Sequence, residues 1–203
     1  MTEFFKILHH LDKDVTLAIN SLHCTATDWM WQVFSNKEIW FVLYLTVAAL
    51  LIRNLGWKKS LAAVVAVVLT ILCCDQLGNL CKWYFERLRP SWDGEMLERG
   101  LRVLVGKGDK PSYGFYSAHA ANAIGFAVCT LRCFKWDKSR NYKAYGIGII
   151  FWGVMVGISR IFVGMHYLGD VMTGFAVGVG IAMFISWLAE VVCRKYLEKE
   201  EKK

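Results

Sequence analysis

Apolar runs of roughly 17–25 residues recur along this chain, each long enough to cross the hydrocarbon of a bilayer. Of its 203 residues 56% are hydrophobic and only 20% charged. An ordinary soluble domain is about 45–50% apolar even with glycine counted, so the composition argues against one. The sequence reads as a single membrane-embedded domain over residues 1–203. Its predicted fold is all-α: a polytopic membrane helix bundle of five to six transmembrane helices with an interfacial N-terminal helix. The opening Met1-Thr2-Glu3-Phe4-Phe5-Lys6 lacks the basic-then-apolar order of a signal peptide. The formal charge of +7 would suit nucleic acid, but its distribution points to membrane topology instead, and no nucleic-acid partner is expected.

The cysteines, Cys24, Cys73, Cys74, Cys81, Cys129, Cys133 and Cys193, fall mostly in or beside apolar runs. There cysteine behaves as a small hydrophobe. None forms a C-x-x-C pair, which argues against a zinc site. A Cys24–Cys81 disulfide is conceivable but unsupported.

Residues 3–23 are amphipathic. Phe4, Leu8, Leu11, Val15, Ala18 and Leu22 follow helical spacing, while Lys6, His9, Asp12 and Lys13 fall elsewhere. The pattern suits a helix lying in the membrane interface. His9, His10 and His23 read as solvated polar positions rather than a metal site. Ser35-Asn36-Lys37-Glu38 has the form of a capping box with Ser35 as N-cap, opening a span over 37–53. Arg53, Lys58 and Lys59 mark a turn, and a second span covers 60–81. Its end carries Asp75, Gln76, Asn79 and Lys82, expensive in hydrocarbon unless they face a polar interior. Residues 82–114 hold both prolines and several glycines and leave the membrane as a long connection. Within it Gly106-Lys107-Gly108 reads as turn residues rather than a phosphate cradle. Further spans cover 117–134, 144–160 and 167–191, and a charged tail follows from Arg194.

Charge asymmetry gives an orientation. The 53–59 turn, the 132–143 loop (Arg132, Lys135, Lys138, Arg140, Lys143) and the tail (Arg194, Lys195, Lys199, Lys202, Lys203) share one side if there are five spans. The positive-inside rule then puts the tail in the cytoplasm and His166 outside. The same topology brings Lys82, Arg89, Ser117, His119, Arg160, His166 and Asp170 to one membrane face.

The stretch Ser159–Asp170 carries the chemistry. If the segment from His166 onward is helical, His166 and Asp170 share a face. The carboxylate would then fix the imidazole tautomer and leave the other ring nitrogen free as base or nucleophile. Arg160 offers a fork suited to phosphate oxygens. Together the three residue types suggest phosphoryl chemistry.

Three stretches resemble the motifs of the type 2 phosphatidic acid phosphatases, a lipid phosphatase family of the vanadium haloperoxidase superfamily. Lys82-Trp83-Tyr84-Phe85-Glu86-Arg87-Leu88-Arg89-Pro90 is similar to KxxxxxxRP, Ser117-Ala118-His119 to the usual Pro-Ser-Gly-His, and Ser159-Arg160 through His166 to Asp170 to SRxxxxxHxxxD. They occur in the family's order. Tyr116 stands for the usual proline and Ala118 for the usual glycine, so the turn there must avoid positive φ. The resemblance implies that His166 attacks phosphorus to form a phosphohistidine, with Asp170 orienting its ring. His119 would protonate the leaving oxygen and then activate water. Lys82, Arg89, Ser117, the Ala118 backbone and Arg160 would hold the phosphate oxygens. With three cations present, no metal or other cofactor is expected. Arg87 lies off the motif's fixed positions and is left outside the site.

The function expected from this resemblance is an integral membrane lipid phosphatase of the bacterial cytoplasmic membrane with an outward-facing site. Its partners would be the membrane and a lipid phosphate substrate. Among substrates a polyprenyl diphosphate such as undecaprenyl diphosphate is favoured, by small size, outward site and resemblance to compact bacterial members. Phosphatidic acid, phosphatidylglycerol phosphate and phosphorylated lipid A stay open. Two other classes remain: a vanadate-dependent haloperoxidase, and a catalytically silent lipid-binding or transport protein on the same scaffold. Residues 91–114, which connect two phosphate-binding motifs, are expected to select the headgroup.

Overall fold

In the computed structural model, residues 3–106 and 108–197 are described, without the side chains of Phe4, Tyr196 and Leu197. The expected basic tail residues Lys199, Lys202 and Lys203, and Lys107, lie outside the described residues. Seven α-helices are present among those described: α1 Glu3–Asn20, α2 Asp28–Ser35, α3 Phe41–Phe85, α4 Gly94–Glu98, α5 Ala118–Phe134, α6 Lys143–Phe162 and α7 Leu168–Val192. A 3-10 turn, Pro90–Trp92, precedes α4, and a π turn, Cys193–Leu197, continues α7. The one β feature among the described residues is an isolated antiparallel bridge between Leu88 and Tyr113. The protein is an all-helical integral membrane protein, as its apolar runs predict.

Helix α5 is the axis of the bundle and packs on α3, α6 and α7. Its Ala123, Phe126, Ala127, Cys129 and Cys133 join Ala63 and Ala66 of α3, Trp152 and Val156 of α6 and Ala182 of α7 in one buried cluster. Small residues let these backbones approach closely, which is how membrane helices associate where hydrocarbon supplies no hydrophobic drive. A Cβ at Gly178 of α7 would stand 2.3 Å from the Ala121 carbonyl oxygen of α5.

Helices Phe41–Phe85, Lys143–Phe162 and Leu168–Lys195 are long and apolar enough to cross a membrane. Helix α5, with 17 residues, is about 26 Å long. The expected turn at 53–59 contracts to a single residue. Helix α3 is broken at Gly56, where φ is 74° and ψ 166°, a conformation glycine adopts without steric cost. Lys37 lies in electrostatic range of His119 while Asn54 lies beside Tyr142. The arm 41–55 therefore runs away from the His119 end of the bundle and the arm 57–85 returns to it. Asp75, on the returning arm, accepts from Asn122 Nδ2 at 2.8 Å, so part of this polar helix end faces the protein. Gln76 and Asn79 are exposed.

Several local expectations need correction. Ser35 is not an N-cap: it ends α2, its hydroxyl is taken by Arg160, and the Glu38 N–H bonds Asn36 Oδ1 at 2.9 Å. The 82–114 connection is partly helical, because Asp93 caps α4 by accepting from the Glu95 N–H at 3.1 Å. All seven cysteines are free, Cys24 and Cys81 included. His10 and His23 are exposed as expected, but His9 is half-buried with Nδ1 at 3.3 Å from Arg87 Nη2.

Helix α1 is inside out relative to a soluble amphipathic helix. Its apolar Ile7, Leu8 and Leu11 are exposed while Lys13, Thr16 and Asn20 are buried. Asn20 Nδ2 donates to the Ile161 and Phe162 carbonyls at the end of α6. Lys13 pairs with Asp93 at 2.8 Å and Glu95 at 2.6 Å, fixing the connection to α1. An outward apolar face suits the expected membrane interface.

Candidate active site

Each of the three sequence motifs is held by a helix end. Lys82 occupies the last turn of α3, which stops at Glu86 in the left-handed conformation (φ 45°), its N–H donating to the Lys82 carbonyl at 3.1 Å. Residues 87–89 then run against 112–114. The Gly114 N–H donates to the Arg87 carbonyl at 2.8 Å and the Arg89 N–H to the Ser112 carbonyl at 3.1 Å. Arg89 Nε reaches the Tyr113 carbonyl at 3.2 Å. This pairing carries the half-buried Arg89 into electrostatic range of Asp170, Arg160 and His166.

Ser117 caps α5, its hydroxyl accepting from the Ala120 N–H at 3.4 Å, and its own N–H donates to the Asp170 carbonyl at 3.0 Å. Ala118 begins the helix at negative φ, as the alanine requires. Its backbone belongs to a helix N-terminus whose first N–H groups lack intrahelical partners and suit an anion. His119 follows, within electrostatic range of Arg160, His166 and Arg89. Tyr116, in the place of a proline, is buried and anchors the turn by donating from its hydroxyl to the Cys74 carbonyl at 2.8 Å.

Arg160 lies buried in the last turn of α6. Its Nη1 donates to the Ser35 hydroxyl and carbonyl, and its Nε has no partner among the described residues. The N–H groups of Met165 and His166 both donate to the Arg160 carbonyl, at 3.0 and 3.2 Å. His166 is not helical, because α7 begins at Leu168, so the condition of a helical segment from His166 onward is not met. The pair forms by capping instead: Asp170 Oδ2 accepts from the Tyr167 N–H at 3.1 Å and lies 3.4 Å from His166 Nδ1.

His166 sits between α6 and α7 and is 2% exposed. Burial pushes its pKa down to about 4, the Asp170 carboxylate opposing this and the Arg160 and Arg89 guanidiniums adding to it. The imidazole is therefore neutral at pH 7, as a nucleophile must be.

The structure thus brings Lys82, Arg89, Ser117, Ala118, His119, Arg160, His166 and Asp170 to one end of α5. No group of three or more His, Cys, Asp or Glu residues suited to a metal ion occurs among the described residues. Arg87, excluded on spacing, belongs to the cluster: Nη1 donates to Asp170 Oδ1 at 2.8 Å and Nη2 to Asp12 Oδ2 at 2.7 Å. Its guanidinium lies 4.0 Å from the centre of the Tyr167 ring. Its signal was its place inside the first motif, two residues before Arg89.

A family profile described as the PAP2 superfamily matches residues 59–192. The chain is 31% identical over 196 residues to a lipid A 4'-phosphatase of Bacteroides thetaiotaomicron, covering 96% of this chain and 81% of that one. It is 32% identical over 176 residues to a lipid A 4'-phosphatase of Porphyromonas gingivalis, covering 86% and 71%. Its fold is similar to that of a transmembrane PAP2-type phosphatidylglycerolphosphate phosphatase from Bacillus subtilis, with TM-score 0.71, 18% identity and 92% and 88% coverage. Aquifex aeolicus LpxE gives 0.64, 20% identity and 85% and 92% coverage. The matched segment contains all three motifs and every residue gathered around His166 except those of α1 and α2. The chain belongs to the PAP2 superfamily and is an integral membrane lipid phosphatase, a hydrolase of phosphoric esters.

Proposed function

We propose that the protein removes a phosphate from the sugar headgroup of a lipid A-type glycolipid through a phosphohistidine on His166. The observation that carries the mechanism is a buried imidazole whose Nδ1 faces Asp170, with the Arg160 and Arg89 guanidiniums in electrostatic range. With Nδ1 occupied, Nε2 is the free nucleophile. It attacks phosphorus, the bond to the sugar oxygen breaks, and His119 delivers a proton to that oxygen. Water then gives a proton to His119 and attacks the same phosphorus, breaking the P–N bond and releasing inorganic phosphate. Lys82, Arg89, Arg160 and the N–H groups opening α5 stabilise charge on the three nonbridging oxygens. Donors of this kind are each worth about 10²–10³ in rate.

The headgroup assignment draws on the two lipid A 4'-phosphatases similar over most of this chain. Undecaprenyl diphosphate, favoured from the sequence, has no counterpart among these relatives, and the lipid A alternative takes precedence. The basic residues between α5 and α6, at the end away from His166, favour an outward-facing site by the positive-inside rule.

Phosphate release in detergent with EDTA tests this reading. Lipid A, phosphatidylglycerol phosphate, phosphatidic acid and undecaprenyl diphosphate are compared by kcat/KM. The reading expects lipid A to lead, with full activity in EDTA and none in His166→Ala. A lead for another lipid would replace the headgroup assignment. No release from any of them by folded protein would make the silent binding protein the better account.

A further inference from the structure

The polar face of α1 is turned toward the bundle, and two groups on it, Asp12 and Thr16, meet residues close to the candidate nucleophile. Thr16 Oγ1 accepts from the Leu168 N–H at 2.9 Å. Asp12 Oδ1 accepts from the Gly169 N–H at 2.8 Å, and Asp12 Oδ2 from Arg87 Nη2 at 2.7 Å. Leu168 and Gly169 open α7, where helical N–H groups have no partner within their own helix. One helix thus caps the start of another, the one that carries Asp170.

The chain of contacts continues inward. Arg87 bridges Asp12 to Asp170 Oδ1, and Asp170 Oδ2 faces His166 Nδ1. The Asp170 side chain is fully buried, whereas those of Arg87 and Asp12 keep 19% and 16% exposure. A buried carboxylate needs its oxygens satisfied, and an arginine fork held at both ends fixes the plane in which they lie. Without Asp12, Arg87 would lose its second carboxylate and keep only the Tyr167 ring and His9 Nδ1 besides Asp170, which loosens the constraint that aims His166. Asp12 and Thr16 precede the segment matched by the family profile, which begins at residue 59.

We propose that Asp12 and Arg87 are positioning residues for the nucleophilic histidine, so that α1 is a working part of the active site. This rests on the reading of His166 as the nucleophile. Removing partners that orient a reacting ligand costs about 10–100-fold in comparable settings, because a displacement near 1 Å at the reacting atoms costs about 10²-fold.

The test compares Asp12→Ala, Asp12→Asn, Arg87→Gln and Arg87→Lys in the full-length purified protein on the best lipid phosphate. Asp14→Asn, which removes the exposed pair with Arg99, is the control, and His166→Ala is run alongside. Readouts are kcat, KM, the single-turnover rate of phosphoenzyme formation and the thermal midpoint. The expected result is a loss of about 10–100-fold in kcat and phosphorylation rate for Asp12→Ala and Arg87→Gln, with KM and midpoint little changed. Asp12→Asn, which keeps an acceptor for Gly169, and Arg87→Lys, which keeps the charge, recover part of the loss. Wild-type kcat in Asp12→Ala and Arg87→Gln beside an inactive His166→Ala overturns the proposal, as does a loss that only tracks the unfolded fraction. If Asp12→Ala does not fold, Asp12→Asn and Arg87→Lys decide: wild-type phosphorylation rates in both overturn it. An active His166→Ala removes the nucleophile reading, and the inference falls with it.

Discussion

Gly114 leaves the room that the Asp170 carboxylate occupies: a Cβ there would stand 3.1 Å from Asp170 Oδ2, 3.2 Å from Arg89 Cγ and 3.6 Å from His166 Nδ1. The residue cannot slide away, because its N–H is bonded to the Arg87 carbonyl. Its φ is not positive, so the demand for glycine is one of space. Gly114→Ala is expected to lower kcat about tenfold and Gly114→Val by about 10² or more, with smaller effects on KM. Steady-state kinetics on protein of unchanged thermal midpoint checks this.

Arg160 serves two partners, Ser35 and the phosphate it is proposed to hold. A lysine carries the charge as a single point and lacks the planar fork. Arg160→Lys is expected to lose about 10²–10³ in kcat/KM. Ser35→Ala removes one hydrogen bond to a charged group, expected to cost about 1.5–3 kcal/mol of stability. Chemical denaturation and kinetics on both variants separate the two effects.

The ionisation of His166 predicts a pH dependence of stability with a definite sign. Its folded pKa is depressed from 6.5 to about 4 by burial. Between those values the unfolded chain binds a proton there that the folded protein does not. This contribution is fully present above about 6.5 and is lost as pH falls through the window toward 4. Wild type should therefore lose more stability than His166→Asn on acidification across that interval, and the two should respond alike above it. Thermal midpoints measured across the range provide the comparison.

The spacing of chemistry-bearing residues was legible in the chain wherever it was fixed. Lys82, Arg89, Ser117, His119, Arg160, His166 and Asp170 sit in three short motifs, and the predicted spans 117–134, 144–160 and 167–191 lie within two residues of α5, α6 and α7. What stayed hidden were contacts between distant parts of the chain. Arg87 meets Asp170 across 83 residues and Asp12 across 75, separations that leave no periodic trace. His9 read as solvated, and Asp12 only as lying off the apolar face, because a polar face ordinarily points to water, whereas here it points inward. Ser35 looked like a cap because its neighbours fit a local rule, and a buried arginine 125 residues away claims it instead.

Helix packing sets a further expectation. A Cβ at Gly178 would lie 2.3 Å from the Ala121 carbonyl oxygen, and one at Gly174 would lie 2.6 Å from that of Ser117. Neither backbone can move without parting α5 from α7. Alanine at either position is expected to cost about 1–3 kcal/mol of stability. Gly174→Ala should also lower kcat, since it displaces the cap of α5 beside the proposed phosphate site, while Gly178→Ala should not. Thermal midpoints and kinetics on the pair check the distinction.

The most direct test of the account is a single-turnover quench with lipid phosphate labelled at phosphorus. The account predicts a base-stable, acid-labile phosphoenzyme that maps to His166, forms no more slowly than kcat and disappears in His166→Ala. Phosphate release without any such intermediate, or an intermediate on another residue, would contradict it.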